Sequence, residues 1–176
     1  MNSRSELLER IVADVATNGI GDRSLRELAL AVNSNHRMVI YHFGSRSGLV
    51  TAIVAYVEES QRQLLRELAT TTTDSATLIL ALWHRLSAPK MRPFVRLFFE
   101  TVASSAHSAD DSLTYAWLKD IGGLVPWLTT PDLVEIRLGI AVTRGLLIDV
   151  VASNNSGPAT KSLKRFIAMW QSSSQS

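Results

Sequence analysis

The chain has 176 residues, a formal net charge of +2 and 46% hydrophobic residues. This composition is typical of a folded domain with a core and excludes an intrinsically disordered chain. Cysteine is absent, which excludes disulfides, thiol nucleophiles and thiolate metal sites. No stretch without Asp, Glu, Lys or Arg exceeds 11 residues, whereas a membrane-spanning helix needs about 20 apolar residues, so we expect no membrane partner. The N-terminus has no apolar signal segment, which favours a cytoplasmic location.

Two S-x-x-E capping pairs mark the starts of the first two predicted helices. In such a pair, each side chain hydrogen-bonds a backbone amide at the helix start. Ser3 and Glu6 open a helix that ends near Gly19, a residue type that favours a C-cap. Ser24 and Glu27 open a second, short helix.

A polar turn separates the second predicted helix from the third. Residues 33–35 are Asn-Ser-Asn, whose side chains compete for local backbone hydrogen bonds and favour turns and helix starts. The third helix ends before Gly44, and Ser45 can cap a long fourth helix that continues to about Leu68.

The rest of the chain also shows helical periodicity, without the alternating runs typical of strands. Prolines near three predicted helix starts fit the first turn, where proline is tolerated. The sequence therefore predicts an all-α protein of about nine helices. The five later helices are predicted at residues 74–87, 93–107, 110–124, 131–153 and 158–171.

The second and third predicted helices have the spacing of a helix-turn-helix, in which the second helix of the pair lies in the DNA major groove. Such a helix needs an apolar stripe towards the core and polar or basic residues towards the bases. Val39, Ile40 and Phe43 can supply the stripe. The residues that remain for DNA are Asn35, His36, Arg37, Met38, Tyr41 and His42.

The placement of charge is uneven although the total is small. Residues 28–57 contain no Asp or Glu, but they contain two Arg and two His residues. One interpretation is a surface that meets phosphates, which repel carboxylates. The other is chance together with a buried helix, because residues 49–57 are largely apolar.

Residues 24–49 resemble the DNA-binding segment of the TetR family of bacterial transcriptional regulators. Ser24 takes the place of the family's Thr or Ser at the start of the second helix, and residues 28–29 match its apolar-Ala pair. Residues 40–43, Ile-Tyr-His-Phe, match its aromatic-aromatic-His-Phe block, and Arg46 matches the Lys that follows. The departures from the family pattern are Asn33 for Gly, Asn35 for Ser or Thr, Ile40 for an aromatic residue and Arg46 for Lys.

The resemblance implies four contacts to the DNA backbone. Tyr41 and His42 are expected to bind phosphates through their polar atoms. Ser24 and Arg46 are expected to do the same, because each lies at a helix N-terminus, which suits anions. The alternative for Tyr41 is a half-buried aromatic residue that packs on the core.

The resemblance also places three residues near base edges. These are Asn35, His36 and Arg37, of which Arg37 can be bidentate to a guanine. His36 is alternatively a solvated surface residue. Met38 either contacts a thymine methyl group or packs internally.

For the whole chain, the resemblance implies a regulator, most often a repressor, that binds a pseudo-palindromic operator in double-stranded DNA and associates with the nucleoid. One reading helix contacts too few base pairs to find one site in a genome, so a homodimer is expected. Residues 1–46 are expected to form the DNA-binding head, residues 47–172 a helical domain for dimerisation and effector binding, and residues 173–176 a disordered tail.

Two further sites follow from the resemblance, and ordinary core packing is the alternative for both. The effector is expected to be a small apolar or amphipathic molecule that releases the protein from DNA. The cavity residues are expected to be Trp83, Phe98, Phe99, Trp117, Trp127 and Arg144. The dimer interface is expected in the last two helices, at Leu133, Ile136, Ile140, Thr143, Leu147, Val151, Leu163, Phe166, Ile167 and Trp170.

Two other functions compete with DNA binding. An enzyme is disfavoured, because the sequence has no H-E-x-x-H motif, no glycine-rich phosphate loop and no Cys. We therefore predict no catalytic residue, no metal and no cofactor. A helical adaptor that binds another protein through the head, without an effector pocket, is the second alternative, and the absence of acids from residues 28–57 argues against it.

Overall fold

The described part of the chain folds into α-helices joined by turns. The computed structural model describes residues 3–105, 121–126 and 132–173, and every regular element in these ranges is helical. The prediction of an all-α fold is confirmed. Residues 1–59 with 93–107 form one compact unit, and residues 60–92 with 108–176 form a second. The first unit includes the whole of the predicted head.

Three short helices and the start of a long one build the first part of this unit. They are α1 (Ser3–Asn18), α2 (Leu25–Ala31), α3 (His36–Phe43) and α4 (Arg46–Ala69). Each turns an apolar stripe inward at helical spacing, and the burial of these side chains stabilises the unit. The side chains from these helices that are at most 2% exposed are Leu7, Ile11, Val15, Leu28, Ala29, Val39, Leu49 and Ile53.

α2 begins at the capping pair that the sequence predicts. The amide of Glu27 donates to Ser24 Oγ at 3.3 Å, and the amide of Ser24 donates to Glu27 Oε2 at 2.7 Å. The Ser24 hydroxyl donates to the same carboxylate oxygen at 2.7 Å. Because first the backbone amide and then the hydroxyl of Ser24 stabilise the ionised form, the pKa of Glu27 lies below its usual value.

Polar turn residues set the start of α3. Asn33 has a φ of 52°, in the left-handed region that Asn tolerates better than most residues. Asn35 caps α3, since its Oδ1 accepts from the amide of Met38 at 2.9 Å. The two Asn residues that depart from the family pattern therefore adopt the conformations that the turn and the cap require.

A tight turn at Gly44 ends α3 and leads into α4. Gly44 has φ 73° and ψ −58°, a γ-turn conformation that strains any residue with a Cβ. The amide of Ser45 donates to the Phe43 carbonyl across this turn at 2.8 Å. Ser45 Oγ accepts from the amide of Gly48 at 3.1 Å and caps α4, as predicted. No single helix in the described ranges is long and apolar enough to cross a bilayer, and α3 with α4 meets that test only as a pair bent by 69°.

α9 packs on both α8 and α5 in the second unit. Trp83 of α5 is fully buried, and its Nε1 donates to Thr160 Oγ1 of α9 at 2.8 Å. A separate apolar cluster joins the end of α4 to α5 and α7 through Leu65, Ala69, Leu78, Leu124 and Val125. The later helices are α5 (Ser75–Leu86), α6 (Arg92–Ser105), α7 (Ile121–Leu124), α8 (Leu133–Ser153) and α9 (Gly157–Ser173), with a 3-10 turn at Pro89–Met91.

Carboxylate caps start two of these helices. Asp132 accepts from the amides of Val134 at 2.8 Å and Glu135 at 3.3 Å, which fixes the start of α8. Asp74 caps α5 in the same way, and hydrogen bonds from the hydroxyl and then the amide of Thr77 hold the pKa of Asp74 below its usual value. Pro131, residues 110–120 of a predicted helix and residues 174–176 of the predicted tail lie outside the described residues.

Candidate nucleic-acid interface

α3 has one buried face and one exposed face. Val39 and Phe43 are 0% and 8% exposed, and they attach the helix to the first unit. On the other side His36 and Arg37 are exposed, and Tyr41 is 79% exposed. The main predicted base-reading residues and the predicted phosphate-binding tyrosine therefore share one solvent-exposed surface.

The burial of three other side chains of α3 can be compared with the sequence prediction. Ile40, expected in the buried stripe, is 39% exposed, because it lies about 100° around the helix from Val39. Met38 is half-buried, so part of its side chain packs inside the unit. His42 is half-buried, and its Nε2 is enclosed and has no hydrogen-bond partner among the residues that the structure describes. Its ring meets the ring of Tyr41 edge-on, with the centroids 4.9 Å apart. In this orientation Nε2 does not reach a phosphate, so a phosphate contact by His42 would have to be made by the other ring nitrogen, Nδ1.

Two arginines of α1 support the ends of α2 and α3. Arg10 Nη1 donates to the carbonyl of Val32, the C-cap of α2, at 3.1 Å. Arg4 Nε donates to the carbonyl of His42 in the last turn of α3 at 3.4 Å, and its guanidinium lies 5.2 Å from the centre of the Phe43 ring. Cations at these helix ends are favourable, because the last carbonyls carry partial negative charge. Sequence reasoning missed both roles, since no local motif signals partners 22 and 38 residues away.

Arg46, predicted to bind a phosphate, instead donates to the loop between α1 and α2. Its Nη2 donates to the carbonyl of Gly21 at 2.5 Å, and its Nε donates to the carbonyl of Arg23 at 3.4 Å. Arg23 forms an ion pair with Asp14 of α1 at 2.7 Å. The loop is therefore attached on one side to α1 and on the other to the start of α4.

The arginines of α2 and α3 remain open to a ligand. Arg26 of α2 and Arg37 of α3 are exposed, and neither makes a hydrogen bond or ion pair with any residue that the structure describes. Arg26 was not among the predicted contacts, although its place in the first turn of α2 was visible in the sequence. The Ser24 hydroxyl, by contrast, already donates to Glu27, so a bond to a phosphate would have to displace that carboxylate.

The predicted dimer residues divide between the core and the surface of the second unit. Leu147, Leu163 and Ile167 are at most 6% exposed within a single chain, because α8 and α9 pack on each other there, so they cannot meet a partner directly. Leu133 is 51% exposed. The half-buried members are Ile136, Ile140, Thr143, Val151, Phe166 and Trp170.

A different side of α8 presents apolar residues to solvent. Val134, Leu138 and Ile148 are 75%, 47% and 53% exposed. Small exposed residues continue the same line at spacings of four and three residues. This spacing is visible in the sequence and could have indicated the stripe. The exposed stripe of α8 comprises Val134, Leu138, Ala141, Gly145, Ile148 and Ala152.

The predicted cavity residues are not gathered in one unit. Phe98 and Phe99, whose ring centroids are 5.3 Å apart, belong to the first unit, whereas Trp83 and Arg144 belong to the second. Trp83 is 0% exposed and is a core side chain in this structure, while Arg144 is half-buried. Trp117 and Trp127 lie outside the described residues. Within residues 3–105, 121–126 and 132–173, no group of His, Asp and Glu side chains could hold a metal ion.

The order of helices, with a helix-turn-helix in α2 and α3 followed by longer helices, is the fold of TetR-family transcriptional regulators. A TetR-family transcriptional regulator from Pectobacterium atrosepticum has a TM-score of 0.75 at 14% identity, over 95% of this chain and 91% of that chain. The multidrug binding protein EbrR, in complex with imidazole, has a TM-score of 0.65 at 18% identity, over 94% of each chain. A TetR family transcription regulator from Marinobacter aquaeolei VT8 has a TM-score of 0.55 at 16% identity, over 90% and 91%.

These structural neighbours confirm the resemblance at the level of the fold. No protein-family model matches the sequence, and no curated protein matches it. Since identities of 14–18% define a fold and not individual contacts, the role of each residue rests on the geometry described above.

Proposed function

We propose that the protein is a sequence-specific DNA-binding regulator, a homodimeric repressor of the TetR type. The observation that carries the proposal is the exposed face of α3, which presents Arg37 and Tyr41 in a part of the chain without a single carboxylate. The negatively charged phosphate backbone binds such a surface favourably, and the major groove accommodates one α-helix. In this proposal residues 1–46 are the DNA-binding head, and residues 47–172 serve dimerisation and effector binding.

The contacts to DNA divide into reading and anchoring. Arg37 and His36 reach base edges, together with the amide nitrogen of Asn35, whose oxygen caps α3. Tyr41 anchors the helix to a phosphate through its hydroxyl. Arg26 adds a second anchor from the first turn of α2, because its guanidinium is exposed and has no partner among the described residues.

The exposed stripe of α8 is the proposed surface for the second copy of the chain. Large apolar side chains in a continuous exposed patch mark an interaction surface. The alternation of four and three residues keeps one line facing a partner helix, as in bundles and coiled coils. Ala141 and Gly145 at the middle of the stripe let two such helices approach closely.

Charged substitutions in this stripe are expected to produce monomers. We predict that the double change Leu138→Glu and Ile148→Glu converts the dimer to a monomer in analytical ultracentrifugation, since dimer formation would bury four added carboxylates. Leu30→Glu, at a side chain 64% exposed on α2, is the matched control and leaves the dimer intact. An unchanged sedimentation coefficient for the double variant would show that another surface forms the dimer.

Release by a small apolar or amphipathic effector is the regulatory part of the proposal. EbrR, which shares the fold, is described as a multidrug binding protein. In the second unit, Gln61 is 4% exposed, and its Oε1 accepts no hydrogen bond from the part of the chain that the structure describes. A buried acceptor without a donor is costly, so a ligand N–H or O–H has a polar anchor available there. Such a ligand would act by favouring a dimer whose two heads no longer match the operator.

Selection of genomic fragments by the purified protein tests the proposal. We expect enrichment of a pseudo-palindrome whose half-sites are separated by one helical turn of DNA or a multiple of it, because a twofold dimer presents two α3 helices. The enriched fragments also identify the neighbouring genes. A selection that enriches no common motif at physiological salt would reject sequence-specific binding and would favour the adaptor alternative.

A further inference from the structure

Arg46 at the start of α4 has a role that its match to the family's lysine does not indicate. We propose that Arg46 is a positioning residue: it holds the loop of residues 19–24, and with it the N-terminus of α2, in the place that DNA binding requires. The inference rests on the proposed function. It replaces the phosphate contact expected from the sequence with a bond inside the protein.

The geometry of the guanidinium supports this role. Nε and Nη2 of Arg46 donate to the carbonyls of Arg23 and Gly21, two positions of the same loop. A guanidinium carries its donors in a rigid planar fork, so one side chain can engage both carbonyls at once. These bonds connect residues 23 and 25 positions apart in the chain.

The loop needs such a connection because its own backbone is permissive. Gly19 and Gly21 have φ values of 70° and 46°, a region that glycine populates readily in the unfolded and folded chain alike. Arg23 ties the loop to Asp14 of α1, and Arg46 ties it to α4. Without Arg46, only the attachment to α1 remains among these side-chain bonds.

The position of the loop bears directly on the proposed interface. Ser24, the cap of α2, is the last residue of the loop, and Arg26 lies two residues further, in the first turn of α2. α2 packs on α3, so a displaced α2 changes the placement of both the Arg26 anchor and the exposed face of α3. A small displacement is enough to lose directional hydrogen bonds to bases and phosphates.

Substitution by lysine separates positioning from phosphate binding. Lys keeps the positive charge but lacks the fork. We expect Arg46→Lys and Arg46→Ala to weaken binding to the selected fragment to a similar extent, roughly tenfold, measured where both variants are fully folded. If Arg46→Lys binds as tightly as the unchanged protein, charge alone is sufficient and the proposal is wrong.

The salt dependence of binding provides a second discriminating measurement. Each phosphate contact contributes about 0.9 to the slope of log K against log salt concentration. We expect Arg46→Ala to keep the slope of the unchanged protein, and Arg26→Ala, the matched control, to reduce it by about 0.9. A slope reduced by Arg46→Ala would assign Arg46 to a phosphate and overturn the positioning role.

Hydrogen exchange tests, without DNA, whether Arg46 holds the loop of residues 19–24; we call this pair of hydrogen bonds the clamp. A negative result in this measurement is therefore distinguishable from a failure of the proposed function. We expect the amides of residues 21–27 to exchange about tenfold faster in both Arg46 variants, while Arg26→Ala leaves them unchanged. Unchanged exchange in the Arg46 variants overturns the clamp even if the protein binds DNA. If exchange is faster but the protein selects no DNA, Arg46 holds the loop, but its proposed role in DNA binding is wrong. Faster exchange with unchanged affinity would reduce Arg46 to a stabilising residue and reject the positioning role.

Discussion

Replacing Arg37 and Tyr41 together by alanine is expected to abolish specific DNA binding while leaving the protein folded. A bidentate arginine–guanine pair contributes about 1–3 kcal/mol, and a hydrogen bond to a charged phosphate about 1.5–3 kcal/mol. Their joint loss therefore weakens binding at least about a hundredfold. Both side chains are exposed, Tyr41 at 79%, so their removal opens no cavity in the core. Fluorescence anisotropy with a selected genomic fragment measures the effect.

A matched double change separates this effect from a general loss of charge. His84→Ala with Arg85→Ala removes an exposed aromatic and an exposed arginine from α5 in the second unit. We expect this control to bind DNA within about threefold of the unchanged protein, since both residues lie outside α2 and α3 and belong to the other compact unit. Circular dichroism and sedimentation should be unchanged for both double variants. If the Arg37/Tyr41 variant binds like the control, α3 is not the reading helix.

The single changes divide the effect into reading and anchoring. Arg37→Ala should relax the preference at one base-pair position, because only that position loses its bidentate donor. Tyr41→Phe removes a hydroxyl and keeps the ring, so it should weaken binding to all fragments by a similar factor. Affinities for the selected sequence and its single-base variants distinguish these two patterns.

Local signals in the sequence were sufficient for the elements of the head. The Ser24–Glu27 capping pair, the Asn35 cap and the glycine at position 44 each act on backbone within a few residues, so their consequences could be predicted without a fold. The periodicity of apolar residues predicted the helices for the same reason. The structure agrees at each of these places.

Contacts between distant residues could not be predicted in this way. The bonds of Arg10 to Val32 and of Arg46 to Gly21 depend on how helices pack, and no spacing rule connects these positions. The orientation of His42 has the same origin, because adjacent positions of a short helix differ in burial by their angle around it.

α8 shows why the sequence did not distinguish the buried side of this helix from its exposed side. This helix carries apolar residues on more than one side, so periodicity does not identify the side that packs on α9. Leu147 is 6% exposed and its neighbour Ile148 is 53% exposed, although both are large and aliphatic. Only the packing of α9 decides which of the two belongs to the core and which faces outward.

Trp83→Ala is expected to cause the largest loss of stability among substitutions in the second unit. Trp83 is 0% exposed, and its indole N–H donates to Thr160 Oγ1 at 2.8 Å, so the ring connects α5 to α9. Truncation of a buried tryptophan costs about 3–5 kcal/mol, from lost burial and from the cavity that remains. Urea unfolding followed by circular dichroism measures this loss, at one protein concentration because the proposed dimer would make the midpoint depend on concentration.

Two further variants show how the loss divides between packing and hydrogen bonding. Thr160→Val keeps the shape of the side chain but leaves the indole N–H without an acceptor, which costs about 1–3 kcal/mol. Arg85→Ala, on the exposed side of the same helix, should change stability by less than about 0.5 kcal/mol. A Trp83→Ala protein no less stable than the Arg85 control would mean that Trp83 does not pack in the core. Its predicted role as an effector-cavity residue would then be favoured again. A loss near that of Thr160→Val would assign the stabilisation to the hydrogen bond, whereas a loss several kcal/mol larger identifies the buried ring as the element that joins α5 to α9.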